Sequence, residues 1–173
     1  MNLVFLHSNG FSAPVYQGFF NALVPYKVEY PPSVLGHGND FPKRSWKPMI
    51  KGVIHYLEQE VQTPTTLMGH SLGGVISLFV AAQRPDLLER VILLDPPTFG
   101  PRLRNILKVG KAIGISGRVP PASLAKRRRS EFESREGALE YFKGKKLFRN
   151  FDEQSLENYV QHGLKEVSGG GFQ

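Results

Sequence analysis

Cysteine is absent from this 173-residue chain, which excludes a disulfide framework, a thiolate nucleophile and any cysteine-based metal site. No stretch of about 18 apolar residues occurs, so no segment reads as membrane-spanning. The opening MNLVFLHSNG has neither a basic start nor a long apolar run, and so reads as a strand, not as a signal peptide. A cytoplasmic location and no membrane partner are expected. No pair of histidines or acidic cluster has metal-ligand spacing, and neither G-x-G-x-x-G nor a Walker pattern is present, so no metal and no cofactor are expected. Internal repeats and low-complexity stretches are also lacking.

The soft rule of about 150 residues per domain favours one sizeable core. The formal charge is +7, but it is unevenly placed. Residues 101–150 hold fourteen Lys plus Arg against four Glu and no Asp, so the remainder is slightly acidic. Such a basic segment could meet nucleic acid, anionic lipid or an anionic substrate, although charge runs are more often solvated helical faces. Nucleic acid is an unlikely partner, because Lys126-Arg127-Arg128-Arg129 carries no interleaved aromatics.

Short apolar runs alternate with helical patterns along the first hundred residues. NLVFLH (2–7), KVEY (27–30), Thr65 to Gly69 and RVILL (90–94) read as strands, and the apolar runs of the first and last suit buried parallel strands. Tyr16, Phe19, Phe20 and Leu23 fall at helical spacing, as do Trp46, Met49, Ile50, Val53, Ile54 and Leu57. This rhythm predicts an α/β fold: a mostly parallel sheet of right-handed βαβ units flanked by helices. From about Gly100 the strands stop. Residues 100–164 read as a basic helical insertion, with Leu156, Tyr159, Val160, Gly163 and Leu164 on one side of a last helix, and 165–173 read as a flexible tail.

The stretch LMGHSLGGVISLFVAA (67–82) carries the chemistry. An apolar run leads into Gly69-His70-Ser71-Leu72-Gly73, followed by a helix of small and apolar residues. G-x-S-x-G between strand and helix is the pattern of a nucleophile elbow, in which glycines two before and two after the serine allow a turn too tight for side chains. Ser71 is thereby exposed, and the Leu72 N–H points from the helix N-terminus to where an oxyanion would form. A glycine-rich helix start packed on a sheet is the bland alternative. A serine hydroxyl needs a base, itself oriented by a carboxylate. Downstream of Ser71 the aspartates are Asp86, Asp95 and Asp152, and His162 is the only histidine.

The order VFLHSNGF, LGHG, LMGHSLGG, RVILLDPP resembles the α/β-hydrolase superfamily in its lipase and esterase branches, over Asn2 to about Pro97. The resemblance implies a core over 1–99 and a cap over 100–164. It also implies a small-molecule ester or acyl substrate, with Ser71 as nucleophile and Leu72 together with Asn9, or alternatively Phe11, supplying the oxyanion hole. Ser8 stands where the family usually has Gly. In the family the acid and the base usually follow later strands that this sequence does not show. The expectation is therefore of a truncated hydrolase, weak or inactive as given, with Asp95 as possible acid and His162 as possible base. A catalytically silent fold that binds a ligand or partner is the alternative. His70, Phe99, Leu103 and Leu107 are expected to line the substrate pocket, with Phe132 and Tyr141 as further candidates.

Overall fold

The computed structural model describes residues 1–31, 45–61, 64–97, 100, 129–168 and 170–172. Four parallel strands, β1 (Asn2–Leu6), β2 (Lys27–Glu29), β3 (Thr65–His70) and β4 (Leu88–Leu94), form one sheet in the order β2-β1-β3-β4. The chain runs from β1 to one side for β2, then returns across β1 for β3. The topological switch point thus lies between β1 and β3, and open α/β sheets place ligands in the crevice beyond the strand ends at that point. Their register sets Leu6 beside Gly69 and His70 beside Leu94.

The central strands are buried along most of their length because both of their faces are covered. Val4, Leu6 and Leu67 face α2 (Lys47–Tyr56) and α3 (Leu72–Gln83), packing on Met49, Ile50, Val53, Leu57, Ile76 and Val80. Leu3, Phe5 and Met68 face the opposite side, where a 3-10 turn (Ala13–Tyr16) and α1 (Gln17–Asn21) bring Phe20 and Tyr16. The sheet is therefore flanked by helices on both faces, as its sequence rhythm predicts. The apolar stripe of α2 is buried from Met49 to Leu57, but Trp46 at its start is exposed and meets Phe79 of α3 edge-on.

Strand β4 departs from the expectation of a fully buried strand. It pairs with β3 alone among the described residues, and Leu93 is 37% exposed. An apolar run cannot by itself distinguish a central strand from a sheet edge, because the edge lacks a partner and not apolar character.

A second helical layer follows, made of α4 (Arg135–Lys143) and α5 (Glu153–Gly163). Ser134 and Asp152 cap these helices, each accepting a hydrogen bond from the backbone N–H three residues on. The layer has its own cluster of Phe132, Ala138, Phe142, Phe148, Leu156 and Val160. Its last helix lies on the 13–21 segment, where Gly163 approaches Val15 and Gly18 faces Asn158. Within the segment 165–173, read from the sequence as a tail, Phe172 exchanges both backbone hydrogen bonds with Phe132, at 2.8 and 2.9 Å. Arg135 secures the same corner, donating to the Val160 and Gln161 carbonyls at the end of α5 and stacking over Phe172.

Candidate active site

Ser71 stands between the end of β3 and the start of α3 with φ 52° and ψ −113°. A positive φ costs a non-glycine residue of order 1–3 kcal/mol and persists only where its surroundings enforce it. Here three close approaches enforce it. A Cβ added at Gly73 would lie 2.0 Å from the Leu6 carbonyl oxygen, one at Gly69 would lie 2.4 Å from the Gly73 backbone, and one at Gly74 would lie 3.0 Å from the Gly69 carbonyl oxygen. The turn is fastened from the side as well, since the Ser71 N–H donates to the Leu94 carbonyl at 2.9 Å. Buried Ser77 returns its hydroxyl to the Gly73 carbonyl at 2.8 Å, bracing the first turn of α3. Leu72 is the first residue of α3, where amide N–H groups have no acceptor within the helix.

The loop after β1 meets this turn, because Gly73 packs against Leu6 and His7. His7 and Ser8 are buried, and the His7 Nδ1–H donates to the Ser8 carbonyl at 2.8 Å. Phe11 N–H donates to the same carbonyl at 3.3 Å, closing a tight turn over Asn9 and Gly10. Gly10 takes φ 82°, which a turn of this type requires. The Phe11 amide is thus engaged within the turn, whereas the Asn9 N–H has no partner among the described residues. The Ser8 hydroxyl, present where the family usually has Gly, donates to the Asn9 carbonyl at 3.2 Å. The Phe11 ring leaves the sheet altogether and packs with Tyr159 of α5, their centroids 5.2 Å apart.

Tyr16 joins the two halves of the site. Its phenolic oxygen lies 2.8 Å from His70 Nδ1 and accepts from the Ser8 N–H at 3.4 Å. The direction of the Tyr16–His70 hydrogen bond follows the imidazole tautomer, with the phenol donating when Nδ1 is bare and accepting when Nδ1 is protonated. Burial pushes the Tyr16 phenol up and the His70 imidazole down, the latter opposed by the Asp95 carboxylate. Sequence reasoning placed Tyr16 on an apolar helical face and missed this role. The available signal was a tyrosine where phenylalanine would pack as well, since a buried phenol must find a hydrogen-bond partner.

Asp95 follows β4 with φ 44°, so the two positive-φ non-glycine residues among those described stand at the ends of neighbouring strands. Its side chain is exposed. His162 lies in the last turn of α5, exposed, and its carbonyl accepts from the Ser12 hydroxyl at 3.0 Å. Neither Asp95 nor His162 makes a hydrogen bond with Ser71, and the Ser71 hydroxyl has no hydrogen-bond partner among the described residues. Phe99, Leu103 and Leu107 lie outside the described residues. Phe132 and Tyr141, the further candidates for the pocket lining, pack together in the second layer, where Phe132 is buried against Phe142 and also borders a cavity lined by Arg129, Glu131, Val167 and Phe172. Among the described residues no group of three or more His, Asp or Glu could hold a metal ion, and no helix is long and apolar enough to cross a membrane.

Comparison with known proteins gives this geometry a context. Residues 3–165 match the model of a family described as the alpha/beta hydrolase family. Lipase LipV of Mycobacterium tuberculosis is 31% identical over 80 residues, covering 44% of this chain and 31% of that protein. Monoglyceride lipase of Rattus norvegicus is 32% identical over 101 residues, covering 53% of this chain and 33% of that protein. The chain thus spans about a third of the length of these curated relatives. Among solved structures, a putative hydrolase from Rickettsia typhi superposes with TM-score 0.70 at 15% identity, covering 99% of this chain and 58% of that one. E-2-(acetamidomethylene)succinate hydrolase superposes with TM-score 0.69 at 19% identity, covering 99% and 60%.

Proposed function

Since the chain belongs to the alpha/beta hydrolase family, we propose that it is a serine hydrolase acting on an ester or related acyl bond of a small, partly apolar substrate. The observation that carries this reading is the strained Ser71 turn, held at the sheet's switch point by glycines whose replacement would collide with backbone. In this reading Ser71 Oγ attacks the acyl carbon and the Asn9 and Leu72 N–H groups hold the oxyanion. The alcohol then leaves and water hydrolyses the acyl-enzyme. Asn9 serves better than Phe11, whose amide is already bonded to Ser8. Residues 1–99 act as the core and 100–164 as a cap. Lipases among the relatives support an ester as the substrate class.

Activity is weak in this proposal, because no described residue takes the Ser71 proton. Loss of the general base in a serine hydrolase costs up to about 10⁶-fold. The unpartnered hydroxyl also favours a second reading, a catalytically silent fold that binds a ligand. A p-nitrophenyl ester separates the two. The hydrolase reading expects a burst of p-nitrophenol stoichiometric with protein, followed by slow turnover, and loss of both in Ser71→Ala. No difference between wild type and Ser71→Ala would leave the silent fold standing.

A further inference from the structure

The basic character of residues 101–150 takes no part in the reaction proposed above. Part of it is concentrated in the turn between α4 and α5. From Lys143 to Phe151 the chain reads KGKKLFRNF, with Lys143, Lys145, Lys146 and Arg149 as cations and no carboxylate. Among and just after these cations two large apolar side chains face solvent: Leu147 is 49% exposed and Phe151 36%.

This exposure is imposed by the fold. Phe148, between them, is buried in the second-layer cluster, with its ring 5.1 Å from Phe142, 4.7 Å from Tyr159 and 5.2 Å from Phe151. Backbone bonds from Lys145 N–H to Phe142, Phe148 N–H to Lys145 and Phe151 N–H to Phe148 lock the turn at 2.9–3.0 Å. The anchored Phe148 thus holds Leu147 outward. On the adjoining flank the Lys145 ammonium sits 4.0 Å over the Tyr141 ring, and Arg129 lies over Phe132 and Tyr141. Lys143 is offset by carboxylates, since Glu140 pairs with it at 2.9 Å and Glu153 and Glu157 of α5 face it, while Asp152 caps α5; Lys145, Lys146 and Arg149 remain as the charge of the turn.

We propose that the Lys143–Phe151 turn docks on an anionic lipid surface, with Leu147 and Phe151 entering the headgroup–acyl boundary and Lys145, Lys146 and Arg149 pairing with lipid phosphates or carboxylates. Charge complementarity selects an anionic partner, since no carboxylate lies between Lys145, Lys146 and Arg149 in the chain. The apolar pair selects lipid among anionic partners. Leu147, the more exposed of the two, has no ring to stack on a base, Phe148 is buried and Phe151 packs edge-on against Phe148, so the turn offers a single ring in place of the successive aromatic platforms that single-stranded nucleic acid uses. An apolar tip ringed by lysines and arginines is instead the composition that lies in a membrane interface. The docking proposed is peripheral and involves no spanning segment. Nothing in this proposal depends on Ser71.

Co-sedimentation of the full chain with vesicles tests it, comparing phosphatidylcholine alone with a mixture of roughly 30% phosphatidylserine. Binding is expected only to the mixture, falling at least tenfold between about 0.1 and 0.5 M salt as screening shortens the reach of the cations. Lys145→Glu with Lys146→Glu should weaken it by more than tenfold, at roughly fivefold per cation removed. Leu147→Ser with Phe151→Ser should weaken it by about tenfold, because two apolar side chains no longer leave water. Insertion is read directly by Phe151→Trp in a Trp46→Phe background, whose emission should shift to the blue with the mixed vesicles and stay unchanged with phosphatidylcholine. Unshifted emission, or retention of full binding by the Leu147→Ser, Phe151→Ser chain, overturns the proposal. So does binding to a short single-stranded oligonucleotide in preference to the vesicles. The emission arm decides the question even should a paired substitution unfold the chain.

Discussion

The phenolic oxygen of Tyr16 lies 2.8 Å from Nδ1 of His70, the residue immediately before Ser71. Through the same oxygen Tyr16 accepts from the Ser8 N–H, so one side chain ties the loop after β1 to the turn after β3. These are the two segments that would hold an oxyanion between them in the proposed reaction. Tyr16 is itself fixed by rings on several sides, with Phe5 at 4.8 Å and Phe20 at 6.1 Å.

Tyr16→Phe keeps that ring packing and removes only the bridge. It should fold and lose about 1–2 kcal/mol, since a part-buried Ser8 N–H and His70 Nδ1 each lose a partner. Urea unfolding checks the stability. Under the hydrolase reading, acylation by a p-nitrophenyl ester should also slow while the burst amplitude per mole of protein is kept. A variant as stable as wild type, with unchanged acylation, would show that the contact holds nothing.

His70 supplies a pH prediction. Burial lowers its pKa in the folded chain, with Asp95 acting in the opposite direction. An unfolded histidine titrates near about 6.5, so below that value the unfolded chain binds the proton more readily than the folded one. The His70 contribution to stability is therefore fully present above about pH 6.5 and declines as pH falls from there through the lowered folded value. The urea midpoint difference between wild type and His70→Gln should be constant from about pH 7 upward and should shift against wild type towards about pH 5. Asp95→Asn should depress the His70 value further, read from its imidazole NMR titration; a rise would contradict the stated electrostatics.

The central strands and the Ser71 turn were legible in the sequence because their signals are short-range: β1 carries the apolar run Leu3 to Leu6, and the Gly69 contact with Gly73 is made within a single turn, although the Gly73 contact with Leu6 is not. The Tyr16 bridge and the Phe11 packing were not legible, because each depends on a partner distant in sequence, His70 for one and Tyr159 for the other. Periodicity assigned Tyr16 to an apolar face correctly and said nothing of its oxygen. The sequence leaves Asn9 and Phe11 as alternatives because amide engagement is a property of turn geometry, which Gly10 at φ 82° sets. The edge position of β4 was hidden for the reason already given, that apolar runs do not announce missing neighbours.

Glycine replacements should divide sharply by position. Gly73→Ala places a methyl 2.0 Å from the Leu6 carbonyl oxygen, and backbone there cannot yield without moving β1 from α3. A loss above about 4 kcal/mol, or failure to fold, is expected, as in other severe overpacking. Gly52 lies on α2 with nothing within 4 Å of an added Cβ. Gly52→Ala should therefore raise stability by about 0.5–1 kcal/mol through helix propensity alone. Thermal melts of the two variants, run beside wild type, should move in opposite directions.

Ser71 offers a measurement of strain separate from chemistry. Both Ser71→Ala and Ser71→Gly remove the hydroxyl, so both should lose any Ser71-dependent burst. They differ in backbone freedom: alanine must still occupy φ 52°, ψ −113°, whereas for glycine this is the mirror image of an ordinary extended conformation. Strain of order 1–3 kcal/mol at such a residue should be relieved only in the glycine variant, less the entropy that glycine adds to the unfolded chain. Ser71→Gly is therefore expected to be more stable than Ser71→Ala by about 1 kcal/mol, a rise of roughly 2–4 °C in Tm for a chain of this size. Equal Tm values for the two would mean that the turn stores no strain at Ser71, and that its geometry is set by the glycines around it alone.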